Sequence, residues 1–173
     1  MVPLADGFEE IEASIIIDVM RRAGLKVETV GVVGSTITGA HGVRVIADKR
    51  LMEISEDYDA IVLPGGSPGY VNLSRTAKII EILKKMNDQG KIIAAVCGSP
   101  AVLAKAGILE NRKATIYPGM EREIPRPRAE RVVVDGNIIT SQAAGTTMEF
   151  ALKLVEILVN KEVATEIRKD LVI

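Results

Sequence analysis

Cys97 is the only cysteine of the chain, and its setting is that of a nucleophile. An apolar run over residues 91–96 reads as a buried strand, and Gly98-Ser99-Pro100 follows it directly. Ser99 suits a helix N-cap and Pro100 the first helical position. A thiol in that turn sits near unpaired N–H groups and the positive end of a helix dipole, which lowers its pKa. A tight strand-to-helix turn also lifts its central side chain off the sheet, as in nucleophile elbows. The competing reading is a buried cysteine packed as a small hydrophobe. Position alone leaves both open.

Three further features could serve such a thiol. Glu9, Glu10 and Glu12 open an amphipathic segment, and carboxylates in a first helical turn ordinarily just complement the dipole. Glu12 differs, because it falls one turn after Phe8 and could face the sheet edge. A carboxyl buried there would have a raised pKa and could exchange a proton with substrate or with Cys97. Gly65-Gly66 follows another strand directly, so a backbone N–H there can approach a ligand with no side chain in the way. Together with the Gly98 N–H it could hold an oxyanion; the plainer reading is an ordinary turn. His41 is the only histidine. It lies in a hairpin-like stretch, as a surface residue or as a base brought close by folding or dimerisation.

The elements that must position these residues alternate strand and helix. Residues 1–5 form a short apolar run, residues 9–23 a helix stopped by Gly24, and residues 26–33 a strand. Residues 36–48 suggest a hairpin. Residues 59–63 form a strand ending in Pro64-Gly65-Gly66, and 76–89 a helix. Residues 100–107 form a helix, 113–117 a strand and 118–130 a surface loop. A hairpin turns at Asp135-Gly136, and helices follow over 146–159 and 162–168. This alternation predicts parallel βαβ units with helices on both faces, a doubly wound α/β sandwich in a single domain over residues 1–173. Ligands of such sheets bind at the carboxyl ends of the strands. The loops over residues 6–9, 64–69 and 97–99 should therefore converge.

Composition excludes several other functions. The 173 residues hold 22 Lys+Arg against 23 Asp+Glu, three Tyr, two Phe and no Trp. That leaves neither a basic surface nor enough stacking platforms for nucleic acid. One Cys and one His cannot build a structural zinc site or an internal disulfide. No G-x-x-x-x-G-K-[ST] or G-x-G-x-x-G phosphate loop is present. The longest apolar runs fall well short of a membrane span, Asp6 and the early glutamates interrupt any secretory signal, and a free thiol suits a reducing cytoplasm.

Taken together, the motifs resemble the ThiJ/PfpI superfamily, and within it the branch of the Parkinson-associated protein deglycase and its bacterial and archaeal relatives. The resemblance covers nearly the whole chain. It rests on Ala5-Asp6-Gly7-Phe8-Glu9-Glu10-Ile11-Glu12, Asp18-Val19-Met20-Arg21-Arg22-Ala23-Gly24 and Val62-Leu63-Pro64-Gly65-Gly66. It continues through Ala94-Ala95-Val96-Cys97, Thr140-Ser141 with Gly145-Thr146, and Lys161-Glu162-Val163-Ala164. Each motif alone is weak; their order is specific.

The resemblance implies a flavodoxin-like, class I glutamine amidotransferase-like fold and a homodimer. It places Cys97 on the family's nucleophile and Glu12 on the buried acid that bonds it. Gly66 and Gly98 fall on backbone donors, and Arg22 on an arginine near the site at the dimer interface. Three departures stand out. Gly98 occupies the place of the histidine that follows the cysteine in the protease-like branch, which counts against a peptidase. Tyr117 stands where human-type members have a histidine. His41 stands where they have an arginine from the partner subunit, so His41 is expected to approach Cys97 across a dimer. The family's first strand also usually begins several residues earlier, so either this strand is short or the start at Met1 is set late.

The implied activity needs no cofactor. It is glyoxalase or deglycase chemistry on reactive dicarbonyls or early glycation adducts, with a small carbonyl compound or glycated protein as partner. A cysteine-based oxidative-stress sensor or chaperone-like protein is the alternative, and an intracellular cysteine peptidase the third reading.

Overall fold

Two apolar strands start the architecture. Val2–Leu4 (β1) and Ala60–Leu63 (β6) are buried at every position, as strands covered on both faces must be. The computed structural model describes residues 1–54 and 57–173. β1 pairs in parallel with β2 (Thr29–Gly31), and β2 with β5 (Lys49–Arg50). β6 pairs in parallel with β7 (Ile92–Val96), and β7 with β9 (Ile138–Ser141), while β8 (Val132–Asp135) closes that edge antiparallel. The two sheets join where the Val62 N–H donates to the Met1 carbonyl at 3.0 Å. The strands therefore run β5-β2-β1-β6-β7-β9-β8. A small antiparallel hairpin, β3 (Thr36–Thr38) with β4 (Arg44–Ile46), stands apart.

Helices cover both faces. One apolar layer gathers Ile79, Leu83, Leu103 and Leu73 against the sheet. These come from α2 (Gly69–Arg75), α3 (Ala77–Asp88) and α4 (Pro100–Lys105). On the other face, Ile16 and Met20 of α1 (Glu10–Arg22) pack with Phe150 and Leu154 of α5 (Thr147–Leu158). Outside them, α6 (Lys161–Asp170) adds Ala164 and Ile167. The mostly parallel α/β sandwich expected from the alternation is the fold observed.

Several local expectations are corrected. The strand expected over residues 26–33 contracts to β2. Residues 113–117 form no strand: Ala114 makes a single bridge to Pro127, and the Thr115 N–H is taken by the Thr140 hydroxyl at 2.9 Å. α2 begins at the end of the loop expected over residues 64–69 and runs through residues to which the sequence assigns no element. Among the described residues, no helix is long and apolar enough to cross a membrane.

Candidate functional site

The three expected loops do meet. The Glu9 N–H donates to the Gly65 carbonyl at 2.9 Å, and the Gly69 N–H to the Gly7 carbonyl at 3.1 Å. Cys97 lies between β7 and α4 with φ +62°, in the left-handed region that side chains avoid. Such a conformation costs about 1–3 kcal/mol and persists only where its surroundings enforce it. Here the Cys97 N–H is held by the Ser141 carbonyl at 3.0 Å, and the Cys97 carbonyl by the Tyr117 N–H at 2.9 Å.

Ser99 takes the expected N-cap position of α4, but not the capping role. Its backbone is already helical and its side chain caps nothing. Instead the buried hydroxyl donates to the Pro64 carbonyl at 2.6 Å, fastening the Cys97 turn to the Gly65-Gly66 loop.

Glu12 is fully buried in the first turn of α1. Its Oε2 accepts from the Gly65 N–H at 2.7 Å. Its Oε1 is buried without a fully formed hydrogen bond. The Cys97 thiol is the side chain that pulls the pKa of this carboxyl down. Burial raises the Glu12 pKa to about 7, against the pull of Gly65 and Cys97.

The thiol moves opposite to expectation. Burial and the Glu12 charge push Cys97 up to about 12, although the N–H groups of Gly66 and Gly98 hydrogen-bond its sulfur and pull it down. The donors are loop amides, α4 has only six residues, and a desolvated sulfur beside a carboxylate outweighs them. The two groups are coupled: the Glu12 charge opposes ionisation of the thiol, whereas the thiol's hydrogen bond favours ionisation of Glu12.

Above the sulfur is a cleft of about 290 Å³, walled by Glu9, Tyr70, Tyr117 and Met120 over Gly66 and Gly98. Ser67 lines it too, and residues 65–69 carry the spacing G-x-S-x-G, a serine-elbow signal wrongly read as absent from the sequence. Cys97, not Ser67, has the positive φ of an elbow. Tyr70 and Met120 were also missed, since neither carries a local motif.

His41 does not line this cleft within the chain. Its ring is 72% exposed, with Nδ1 2.9 Å from Glu10 Oε2 and 3.8 Å from Glu9 Oε2. The hydrogen bond to Glu10 raises the His41 pKa. Burial opposes ionisation of Glu10, yet the bonds from His41 and Val43 bring it down to about 2. Glu9, Glu10 and His41 have ligand atoms within 4.8 Å of one another, but both Glu10 oxygens are already engaged by the hairpin. Arg22 ends α1, about 15 Å along the helix from Glu12, and its Nε binds Asp18 at 2.6 Å. The single chain does not bring Arg22 to Cys97.

Comparison with known proteins places the sequence and the fold. The DJ-1/PfpI family pattern matches residues 1–157. The chain is 37% identical to Drosophila melanogaster protein dj-1beta, over 100% of this chain and 96% of that one. It is 35% identical to a protein named as a deglycase from Pyrococcus abyssi, over 89% of this chain and 95% of that one. The solved structure of oxidized DJ-1 from Toxoplasma gondii superposes with a TM-score of 0.96 at 42% identity, covering 99% of this chain and 96% of that one.

Proposed function

The chain belongs to the DJ-1/PfpI family, and from that premise we propose that it is a cofactor-independent cysteine enzyme acting on reactive dicarbonyls or early glycation adducts. The observation that carries the reading is the buried Glu12 carboxyl set against Cys97 at a strained elbow, with two backbone donors aimed at the sulfur. The name of the archaeal relative supports the same class.

The chemistry follows from the pair's single proton. Ionised Glu12 takes the thiol proton as the sulfur adds to the aldehyde carbon of methylglyoxal. The carbonyl electrons move to oxygen, where the Gly66 and Gly98 N–H groups stabilise the charge. Protonation of that oxygen gives a hemithioacetal. Glu12 then moves the proton from the former aldehyde carbon to the neighbouring carbon, and the hemithioacetal hydroxyl gives up its proton to the ketone oxygen, turning the ketone into an alcohol and the hemithioacetal into a thioester. Water hydrolyses the thioester, releasing lactate and the free thiol. A glycated amine would enter at the same carbon and leave as the amine.

Lactate formation from methylglyoxal tests this. Cys97→Ala removes the turnover; a Cys97→Ala protein that makes lactate at the wild-type rate overturns the proposal. A second reading, oxidation sensing, is favoured by the unsatisfied Glu12 Oε1, which once protonated could donate to an oxidised sulfur. Cysteine peptidase chemistry has the least support, because no imidazole lines the cleft among the described residues.

The reading includes a homodimer in a reducing compartment, with α1 at the interface. Ile11 is 55% exposed on that helix, beside the buried Glu12. Ile11→Asp is expected to convert the dimer to monomer in sedimentation velocity, and a wild type that sediments as monomer would remove the assembly. In that assembly His41, carried at the hairpin tip, would approach the partner's Cys97 cleft.

A further inference from the structure

We propose that Ser99 is a positioning residue for the Cys97–Glu12 pair: its buried hydroxyl holds the Gly65-Gly66 loop against the Cys97 elbow, and so sets how readily the thiol proton passes to Glu12. The inference rests on the Cys97–Glu12 chemistry above and adds the side chain that aligns the two groups.

Topology makes such a fastening necessary. The parallel ladder between β6 and β7 ends at the Leu63–Ala95 pair. The residues that serve the sulfur lie beyond it, Gly65 and Gly66 where one strand exits and Cys97 and Gly98 where the other does. Ser99 Oγ bridges this gap by donating to the Pro64 carbonyl at 2.6 Å. Both residues are buried. A serine at a helix N-cap ordinarily serves the N–H groups of the first turn, yet this side chain caps nothing. Its hydroxyl works across the gap instead of in the helix.

Gly65 shows what the fastening aligns. A Cβ placed on it would lie 2.6 Å from the Cys97 Cβ and 2.9 Å from Glu12 Oε2, so the backbone there is wedged between the two reacting side chains. Its N–H donates to Glu12 at 2.7 Å, and the next N–H, of Gly66, reaches the sulfur. Each bond favours the ionised form of its acceptor. Pro64 immediately precedes both donors. Releasing its carbonyl lets them drift, and both acceptors become harder to ionise. The other ionisable groups facing the sulfur are Glu9, from the segment leading into α1, Tyr70 of α2, and Tyr117, joined in the proposed dimer by the partner's His41. Replacing Ser99 removes none of them. Ser99 itself does not line the cleft, so substrate binding does not sense it directly.

The test follows the rate of Cys97 alkylation by iodoacetamide between about pH 5 and about pH 10. Ser99→Ala is expected to move the rise of that rate upward by about one pH unit, with a roughly tenfold slower reaction at neutral pH. Ser99→Gly repeats the loss of the hydroxyl should the alanine variant fail to fold. Ser99→Thr keeps a hydroxyl and should follow the wild-type curve. Val102→Ala opens a cavity at a buried position of the same helix, and should lower the melting temperature without moving the curve. An unmoved curve in a folded variant lacking the hydroxyl overturns the inference. So does an equal shift in Val102→Ala, or a Ser99→Thr curve that matches Ser99→Ala. Lactate formation is measured in parallel, where Ser99→Ala should lower kcat about tenfold and leave KM within about twofold of wild type. A wild type without turnover, but with the shifted alkylation curve in Ser99→Ala, removes the carbonyl reaction and leaves the positioning role standing. Turnover with unmoved curves removes the role of Ser99 alone.

Discussion

Glu12→Gln is expected to make the protein more stable than wild type above neutral pH while removing most of its turnover. The ordinary pKa of this carboxyl is 4.5, and burial raises it to about 7 in the folded chain. Below the lower value both states hold the proton and the group favours neither. As pH rises from there, the unfolded chain releases the proton while the folded one keeps it, so the unfolded state gains. The loss of stability grows until pH passes the folded value. A shift of this size corresponds to roughly 3 kcal/mol. The window ends below the range of the Cys97 thiol, which therefore does not obscure it. Glutamine stays neutral, and its carbonyl can still accept the Gly65 N–H. Thermal melts at about pH 8.5 should place the variant roughly 5–10 °C above wild type, with the gap closing near about pH 4. Lactate formation should fall by about 10²–10⁴, and its rise with pH near neutrality should disappear. A variant less stable than wild type at the higher pH would show that the carboxyl is not held against ionisation. Opposite signs on stability and turnover are what a strained, buried catalytic acid produces.

That contrast marks what the sequence can carry. The Cys97 turn was legible because an apolar run and a Gly-Ser-Pro step are local signals. Helical spacing after Phe8 left a buried Glu12 as one of two readings, and the family resemblance selected it. The pKa direction of Cys97 was not legible, because it depends on burial and on a carboxylate brought from a distant element. Ser99 shows the same limit: an N-cap reading is local, whereas its actual partner, the Pro64 carbonyl, belongs to another strand's end. α2 was hidden because Pro68-Gly69 announces a turn, and a helix of seven residues is too short to show periodicity. Residues 113–117 have strand-like composition but find no free sheet edge, since β8 closes the edge beyond β9. Arg22 is kept away from Glu12 of its own chain by the rise of one continuous helix, so its expected approach to the site is a matter of the dimer alone.

Gly66→Ala is the substitution expected to damage this site most through its backbone, and Gly24→Ala supplies the control. Both glycines have positive φ, +92° and +77°. Around Gly24 an added Cβ meets nothing within 4 Å, so only the conformational cost applies, about 1 kcal/mol. At Gly66 the same Cβ would run into the Glu9 nitrogen, the Gly7 oxygen and the Phe8 carbonyl carbon. These are backbone atoms of the segment leading into α1 and cannot rotate away. Relief requires the two loops to separate, which strains the Glu9 N–H to Gly65 carbonyl bond and the Gly65 N–H to Glu12 bond. The expected cost is about 3 kcal/mol or more. Circular-dichroism melts should therefore show a fall of roughly 6–12 °C for Gly66→Ala and about 2–4 °C for Gly24→Ala. In the surviving folded protein, Gly66→Ala should also remove the Glu12-dependent rise of lactate formation near neutral pH, because Glu12 has lost its fixed partner. Equal melting shifts in the two variants would mean that the loops yield freely. The Cys97–Glu12 geometry would then be held by α1 and β7 alone, without the glycine contact.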